Sequence, residues 1–149
     1  NASGADFEPK GDLVVKHSGL KGITVEKNEI PRLIDEIPVL LVAASLAKGR
    51  TIIKSAQELK VKETDRINSM MTNLNFIGAD IRLSGNDIII EGKDALSGGK
   101  VKSFNDHRTA MSMAVAGLIS GGDIVIDDAA CVEKSFPDFF KKLESVSVV

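Results

Sequence analysis

The segment Glu58–Ile67 has the sequence ELKVKETDRI, in which six of ten residues carry charge and both signs are interleaved. It follows the strand-like run Thr51–Ile53 and precedes an apolar pattern typical of a helix. In α/β folds such strand-to-helix junctions gather at one edge of the sheet, where ligands bind. Fixed cations beside carboxylates suit an anionic substrate that also needs proton transfer. A solvated charged loop is the alternative interpretation.

Further charged residues stand at matching places elsewhere in the chain. Asp35-Glu36 precede one apolar stretch, and Asn105-Asp106-His107-Arg108 precede another. If these junctions converge, two or three carboxylates are surrounded by several cations. The cations are Lys60, Lys62, Arg66, Arg108 and Lys134. Arginine suits bidentate binding of phosphate or carboxylate, whereas lysine acts as a mobile point charge. The set therefore predicts a site for a substrate with several negative charges.

Each candidate residue also has a purely structural interpretation. Asp35 and Asp106 would serve as caps of the helices that follow them. Arg66 would pair with Glu63 across one helical turn, and Lys134 would be a solvated surface residue. Taken singly, these interpretations are stronger, but their matching positions in two halves of the chain favour a shared site.

An internal repeat supplies those two halves. Gly4-Ala5-Asp6 recurs as Gly78-Ala79-Asp80, and Gly49–Ala56 recurs as Gly122–Ala129, at a spacing of about 74 residues. This period is too long for common solenoids and indicates duplication of a small α/β unit.

Each unit is predicted to run β-β-α-β-α. In the first unit the predicted strands are Leu13–Lys16, Gly22–Val25 and Thr51–Ile53, and the predicted helices are Ile37–Lys48 and Asp65–Phe76. In the second unit the predicted strands are Ile88–Glu91, Lys100–Phe104 and Ile124–Ile126, and the predicted helices are Arg108–Ile119 and Phe136–Leu143. The first helix of each unit is apolar on most sides and ends at glycine, which predicts a buried helix. Pro137 suits the first turn of the last helix. The alternation favours an α/β (α+β) fold.

Composition excludes several classes of function. The 149 residues are 43% hydrophobic and carry a net charge of −2, so we expect one domain with no basic field for nucleic acid. The apolar helices are too short to span a membrane, and no signal peptide is visible. The single cysteine, Cys131, excludes an internal disulfide and fits a cytoplasmic protein. The two histidines lack partners at ligand spacing, so no metal site is expected.

Four segments carry a family resemblance: IPRLIDEIPVLLVAA (30–44), ELKVKETDRI (58–67), NDHRTAMSMAVAG (105–117) and CVEKSFPDFF (131–140). In this order and spacing they closely resemble the C-terminal part of the EPSP synthase family, from about Gly11 onward. The resemblance implies the enolpyruvyl transferase fold, an inside-out α/β barrel of two similar domains, each built from three units. This chain would be most of the C-terminal domain, as two pseudo-repeats at about 11–78 and 79–149. The N-terminal domain would be absent, and Gly4-Ala5-Asp6 would be the tail of the missing third unit.

The resemblance also implies a reaction, in which the enolpyruvyl group of phosphoenolpyruvate passes to the 5-hydroxyl of shikimate 3-phosphate and phosphate is released. Asp35 would contact that hydroxyl as a candidate base, Lys62 would contact the shikimate and the reacting center, and Glu63 would handle the methylene proton. The residues implied to bind phosphoenolpyruvate are Arg66, Arg108 and Lys134, with His107 beside them.

No metal or organic cofactor is implied by the resemblance, and the full-length enzyme is expected to be a monomer. The family's remaining substrate ligands lie in the N-terminal domain, so this chain alone is expected to be inactive. Two alternatives stay open: a UDP-N-acetylglucosamine enolpyruvyl transferase of the same fold, and a non-catalytic binding module.

Overall fold

Strands and helices alternate along the chain, whose computed structural model describes residues 5–7, 13–16, 18–56 and 65–147. The strands are β1 (Ala5–Phe7), β2 (Leu13–Val15), β3 (Thr24–Val25), β4 (Arg50–Ile53), β5 (Asp80–Ser84), β6 (Asp87–Glu91), β7 (Gly99–Val101) and β8 (Ile124–Ile126). The helices are α1 (Ile30–Leu33), α2 (Ile37–Ser45), α3 (Arg66–Phe76), α4 (His107–Gly117) and α5 (Phe139–Val146), with a 3₁₀ helix over Ala129–Val132. The predicted α/β class is confirmed.

A four-stranded sheet in the order β3-β4-β6-β5 forms the larger layer. β3 runs parallel to β4, while β6 is antiparallel to both β4 and β5. Ile88 and Ile90 of β6 are fully buried and alternate with half-buried residues, so one face of the sheet covers the core. β7 and β8 form a second, parallel pair, and β1 and β2 form an antiparallel pair.

Two equivalent hairpins are left out of the predicted β-β-α-β-α order. β1 pairs with β2 as β5 pairs with β6, so Ala5-Asp6 and Asp80 of the repeated triplets lie in the first strand of a hairpin. The β1–β2 hairpin crosses the unit boundary predicted at about residue 11, so Ala5-Asp6 is joined to the first unit rather than separate from it. β5 is absent from the predicted strands because Ile81 is its one buried residue, which leaves no apolar alternation to detect. Gly85 closes the β5–β6 turn at a φ of 63°, where glycine has no steric penalty.

Helices α2, α3 and α4 pack against one another and form the core with the sheet. The central side chains, all with no exposed surface, include Ile53, Met70, Ile88 and Met113. A smaller cluster of Ala110, Cys131 and Val132 joins α4 to the C-terminal segment, beneath the partly buried Phe139 and Phe140. The burial predicted for α2 and α4 is therefore confirmed.

The predicted C-terminal ends of these two helices are wrong by two to three residues. α2 ends at Ser45 rather than Lys48, and α4 ends at Gly117 rather than Ile119. In both, the last amides bond to the third residue back: Ala47 N to Ala44 O, and Ile119 N to Ala116 O. Such bonds tighten a helix end into 3₁₀ geometry before the chain leaves it.

Two further predicted boundaries are wrong, and residues with positive φ angles explain both. The strand predicted over Lys100–Phe104 stops at Val101, and Phe104 and Asn105 lie in the left-handed region at φ of 53° and 56°. The last helix starts at Phe139, because Asp138 has a φ of 63° and interrupts the helical backbone. Pro137 therefore precedes the helix instead of occupying its first turn.

Within the described ranges, every helix is too short or too polar to cross a bilayer.

Candidate functional site

The starts of helices α2, α3 and α4 meet at one place and bring four charged side chains together. Asp35 lies two residues before α2, Arg66 is the first residue of α3, and Asp106 caps α4 two residues ahead of Arg108. Helix N-termini carry partial positive charge and point unsatisfied N–H groups outward. The helix starts therefore add partial positive charge to a junction in which the charges of Arg66 and Arg108 are matched by those of Asp35 and Asp106.

Arg66 lies at the center of this junction and is only 2% exposed. Its Nε donates to Asp106 Oδ2 at 2.9 Å, and its Nη1 donates to Asp35 Oδ1 at 3.0 Å. A guanidinium removed from water needs such charged partners, because burial without them is strongly unfavourable. Arg66 thus joins the start of α3 to the starts of both α2 and α4.

Asp106 has no exposed surface and accepts three hydrogen bonds from residues that the structure describes. Besides Arg66 Nε, the donors are the Arg108 backbone N–H at 3.0 Å and Thr109 Oγ1 at 3.2 Å. The preceding turn directs Asp106 inward through the left-handed residues Phe104 and Asn105. Ser103 fixes that turn, since its Oγ accepts from Asn105 N at 3.1 Å.

Arg108 is the more exposed of the two arginines, with 30% of its side chain accessible. Its Nη1 donates to the backbone oxygen of Asp35 at 3.0 Å, and its Nη2 lies 3.3 Å from Asp35 Oδ2. Glu36 Oε1 lies 3.9 Å from Nη1. The Asp35 carboxylate, 40% exposed, is therefore held between two guanidinium groups at the solvent boundary.

The remaining predicted site residues differ in where they lie. His107 follows Asp106 in α4, and its Nδ1 is 3.9 Å from Asp106 Oδ1, beyond hydrogen-bond distance. Lys134 is exposed after the 3₁₀ helix, which itself packs on α4. No ion pair within the described ranges connects Lys134 to the junction. Lys62 and Glu63, together with Lys60, lie outside the described residues.

An apolar groove of about 250 Å³ opens beside Asp35 and Arg108. Its lining residues come from α2, α4 and the segment around α5: Asp35, Glu36, Val39, Arg108, Met111, Ser112, Val115, Phe136 and Phe139. The walls are hydrocarbon and aromatic, so the charged groups of an anionic ligand would be bound at the rim rather than inside the groove. In the ranges that the structure covers, no cluster of three or more His, Cys, Asp or Glu residues is arranged to hold a metal ion.

The sequence predicts that Asp35, Arg66 and Arg108 share one site, but it gives Asp106 only the role of a possible cap of the helix that follows. Asp106 does cap α4, yet it also binds a guanidinium forty positions earlier in the chain. The local pattern, a polar residue before a helix, gives no sign of a partner that distant. The available signal was that Asp106 directly precedes a helix predicted to be buried, where a charge needs a counter-charge.

The chain is similar to known proteins in both sequence and structure. The family model described as EPSP synthase (3-phosphoshikimate 1-carboxyvinyltransferase) matches residues 4–143. Proteins named 3-phosphoshikimate 1-carboxyvinyltransferase from Geobacter metallireducens and Geobacter sulfurreducens are 50% and 51% identical, over 94% and 95% of this chain. The chain spans 33% of the length of each.

A solved structure of EPSP synthase from Acinetobacter baumannii superposes with a TM-score of 0.86 at 38% identity, over 92% of this chain and 33% of that one. A second structure of EPSP synthase from the same organism gives 0.80 at 37% identity. The family-model match spans the starts of α2, α3 and α4 and all four strands of the larger sheet. The chain belongs to the EPSP synthase family.

Proposed function

We propose that this chain is part of an enzyme that transfers the enolpyruvyl group of phosphoenolpyruvate to the 5-hydroxyl of shikimate 3-phosphate. The observation that carries the proposal is Asp35 held between Arg66 and Arg108 at the meeting point of three helix starts. Both substrates are polyanions, and this junction combines fixed positive charge with a carboxylate that is open to solvent.

The chemistry is an addition followed by an elimination. The 5-hydroxyl oxygen bonds to the C2 carbon of phosphoenolpyruvate while C3 gains a proton, giving a tetrahedral intermediate. The C2–O bond to phosphate then breaks, C3 loses a proton, and the enol ether and inorganic phosphate are the products. No redox partner is needed, and the proton balance requires one group near the hydroxyl and one near C3.

Asp35 is our candidate for the group near the hydroxyl, because its Oδ2 is at the solvent boundary with Arg108 3.3 Å away. Glu63 is proposed to exchange the C3 proton, with Lys62 and His107 near the reacting center. Arg66, Arg108 and Lys134 are proposed to bind the carboxylate and phosphate of phosphoenolpyruvate. Arg108 and Lys134 are the accessible cations, while Arg66 acts from a buried position.

The rest of the site is proposed to come from an N-terminal domain that closes on this one. In this proposal residues 1–149 are most of the C-terminal domain of a monomeric, cytoplasmic enzyme, and the two pseudo-repeats supply one wall of the cleft. Closure would exclude water and strengthen every charge interaction in the site.

The test uses the full-length protein with phosphoenolpyruvate and one acceptor at a time. We expect phosphate release with shikimate 3-phosphate and none with UDP-N-acetylglucosamine. Glu63→Gln should lower kcat by about 10²–10⁴ because it removes one ionisable carboxyl group, whereas Glu144→Gln, an exposed change on α5, should not. Turnover with the UDP-sugar alone would favour the related transferase, and no turnover with either acceptor would favour a binding module.

A further inference from the structure

Asp106 is a fully buried carboxylate whose two oxygens contact two different helices. Oδ1 accepts from the backbone N–H of Arg108 at 3.0 Å and so caps α4. Oδ2 accepts from Arg66 Nε at 2.9 Å and from Thr109 Oγ1 at 3.2 Å. One side chain therefore sets the backbone position of one arginine and the side-chain orientation of the other.

Capping alone does not account for this arrangement. A helix cap needs one oxygen atom, and serine or asparagine provides it about as well as aspartate. Asp65, the cap of α3, shows the ordinary case: it is exposed and accepts from Asn68 N at 3.0 Å. Asp106 instead has zero exposure and is paired with the guanidinium of Arg66, the counter-charge that a buried carboxylate needs.

The bond to Nε has a specific geometric effect. A guanidinium is a planar fork, so fixing its Nε edge fixes the direction of both Nη groups. With Nε held by Asp106, Nη1 of Arg66 points to Asp35 Oδ1 at 3.0 Å. Asp35 in turn faces Arg108. The orientation of Asp35 and both arginines thus depends on a carboxylate that is itself shielded from solvent.

We propose that Asp106 is a positioning residue of the anion site, which orients Arg66 and through it Asp35 for the enolpyruvyl substrate. The substrate identity rests on the proposed function, whereas the positioning role rests on the contacts alone. Preorganised charges bind a substrate more tightly than mobile ones, since less freedom is lost on binding.

A double-mutant cycle in the full-length protein tests the proposal. The variants are Asp106→Asn, Arg66→Met and both together, with Asp65→Asn as a matched control at the cap of α3. We expect Asp106→Asn to raise KM for phosphoenolpyruvate about tenfold, the effect of losing one charged hydrogen bond. In the Arg66→Met background the same change should alter KM less than about twofold, because Asp106 acts through Arg66 and that variant lacks the guanidinium.

An equal fold-change in both backgrounds would mean that Asp106 acts only on the fold, and it would overturn the proposal. So would a rise in KM for Asp65→Asn as large as that for Asp106→Asn. Melting temperatures of all variants show whether each protein is folded at the assay temperature.

A second measurement does not depend on turnover or on a stable variant. In the unsubstituted full-length protein labelled with ¹⁵N-arginine, the Nε–H proton of Arg66 should exchange with water at least about tenfold more slowly than that of the exposed Arg82. Equal exchange rates would overturn the positioning role even if the enzyme is active. Slow exchange in a protein without turnover would leave the positioning role standing and contradict the proposed function.

Discussion

At the scale of single residues, the site depends on the difference between two arginines. Arg66 is 2% exposed and occupied by two carboxylates, whereas Arg108 is 30% exposed and faces solvent beside Asp35. Arg66 therefore sets the geometry of the cluster and can act on a ligand only from its buried position, whereas Arg108 can contact a ligand directly. The same amino acid therefore has two roles within one cluster.

Arg108→Lys should chiefly weaken binding of phosphoenolpyruvate. A lysine keeps the charge but loses the planar fork that reaches two oxygens at once, so we expect KM to rise about tenfold with a smaller change in kcat. Arg82→Lys, an exposed change on β5, is the matched control and should leave KM unaltered. Steady-state kinetics of the full-length protein measure both, and an unchanged KM for Arg108→Lys would remove this residue from the binding site.

Cys131 gives a prediction about pH. Burial raises the pKa of its thiol, with the Asp128 and Asp106 carboxylates adding to the rise and a hydrogen bond with Ser103 opposing it. Because the pKa is raised in the folded state, the protonated thiol favours the folded state. This contribution to stability is complete below the unfolded pKa and is lost as the pH rises through the folded pKa. At pH 8 we expect iodoacetamide to modify Cys131 at least about tenfold more slowly in the folded chain than in urea. Mass spectrometry of the Cys131 peptide gives the two rates, and equal rates would show that the thiol is accessible.

At the scale of elements, the sequence predicts well those helices and strands that show a clear pattern of apolar and polar residues within their own length. The two buried helices, the strands that alternate with them and the charged helix starts were all visible as apolar runs with polar neighbours. β5 was not, since most of its residues are exposed and its partner β6 supplies the pairing. The helix ends were also misplaced, because glycine marks where a helix must have stopped and not where its hydrogen bonds change to the 3₁₀ pattern.

Asn73 is an example of an element contact that no local pattern reveals. Its Nδ2 donates to the carbonyl of Lys102 at 2.7 Å and its Oδ1 accepts from Lys102 N at 3.0 Å, so α3 completes the backbone bonding at the end of β7. Asn73 is 2% exposed.

Asn73→Ala should lower the free energy of unfolding by about 1–3 kcal/mol, because it leaves two backbone groups without a partner. Asn68→Ala lies on the exposed side of the same helix and should change it by less than about 0.5 kcal/mol. Urea unfolding of both variants measures the two free energies of unfolding. Similar losses of unfolding free energy would show that the Asn73 hydrogen bonds contribute nothing specific.

At the scale of the whole molecule, the chain has a continuous core but an open site. The core cluster joins residues of both repeats, from Val25 to Ala116. We therefore expect the 149-residue chain to fold alone. Asp35 and Arg108 still face water on one side of the junction, where an ion pair at about 4 Å is worth only about 1 kcal/mol.

The isolated chain should therefore show no turnover and only weak, salt-sensitive binding of phosphoenolpyruvate. NMR shifts near Arg66, Arg108 and Lys134, diminishing between about 0.05 and 0.5 M salt, are the expected result. The control is Lys100 of β7, which does not line the groove beside Asp35 and Arg108 and whose signals should stay constant. Phosphate release that rises with the concentration of the chain and disappears in Glu63→Gln would contradict the need for a second domain.

The ring of contacts through Asp35, Arg66, Asp106 and Arg108 has a consequence for the order of folding. Its bonds join residues 31, 40 and 73 positions apart, so each requires a long stretch of chain to be in place. Contacts between such distant residues form slowly, because loop closure is costly in entropy. We expect the ring to form after the hydrophobic core in folding and to open before it in unfolding. Loss of Arg66 would then speed unfolding far more than it slows folding. The lifetime of the assembled site is therefore set by the rate at which this ring opens, not by the rate at which the core unfolds.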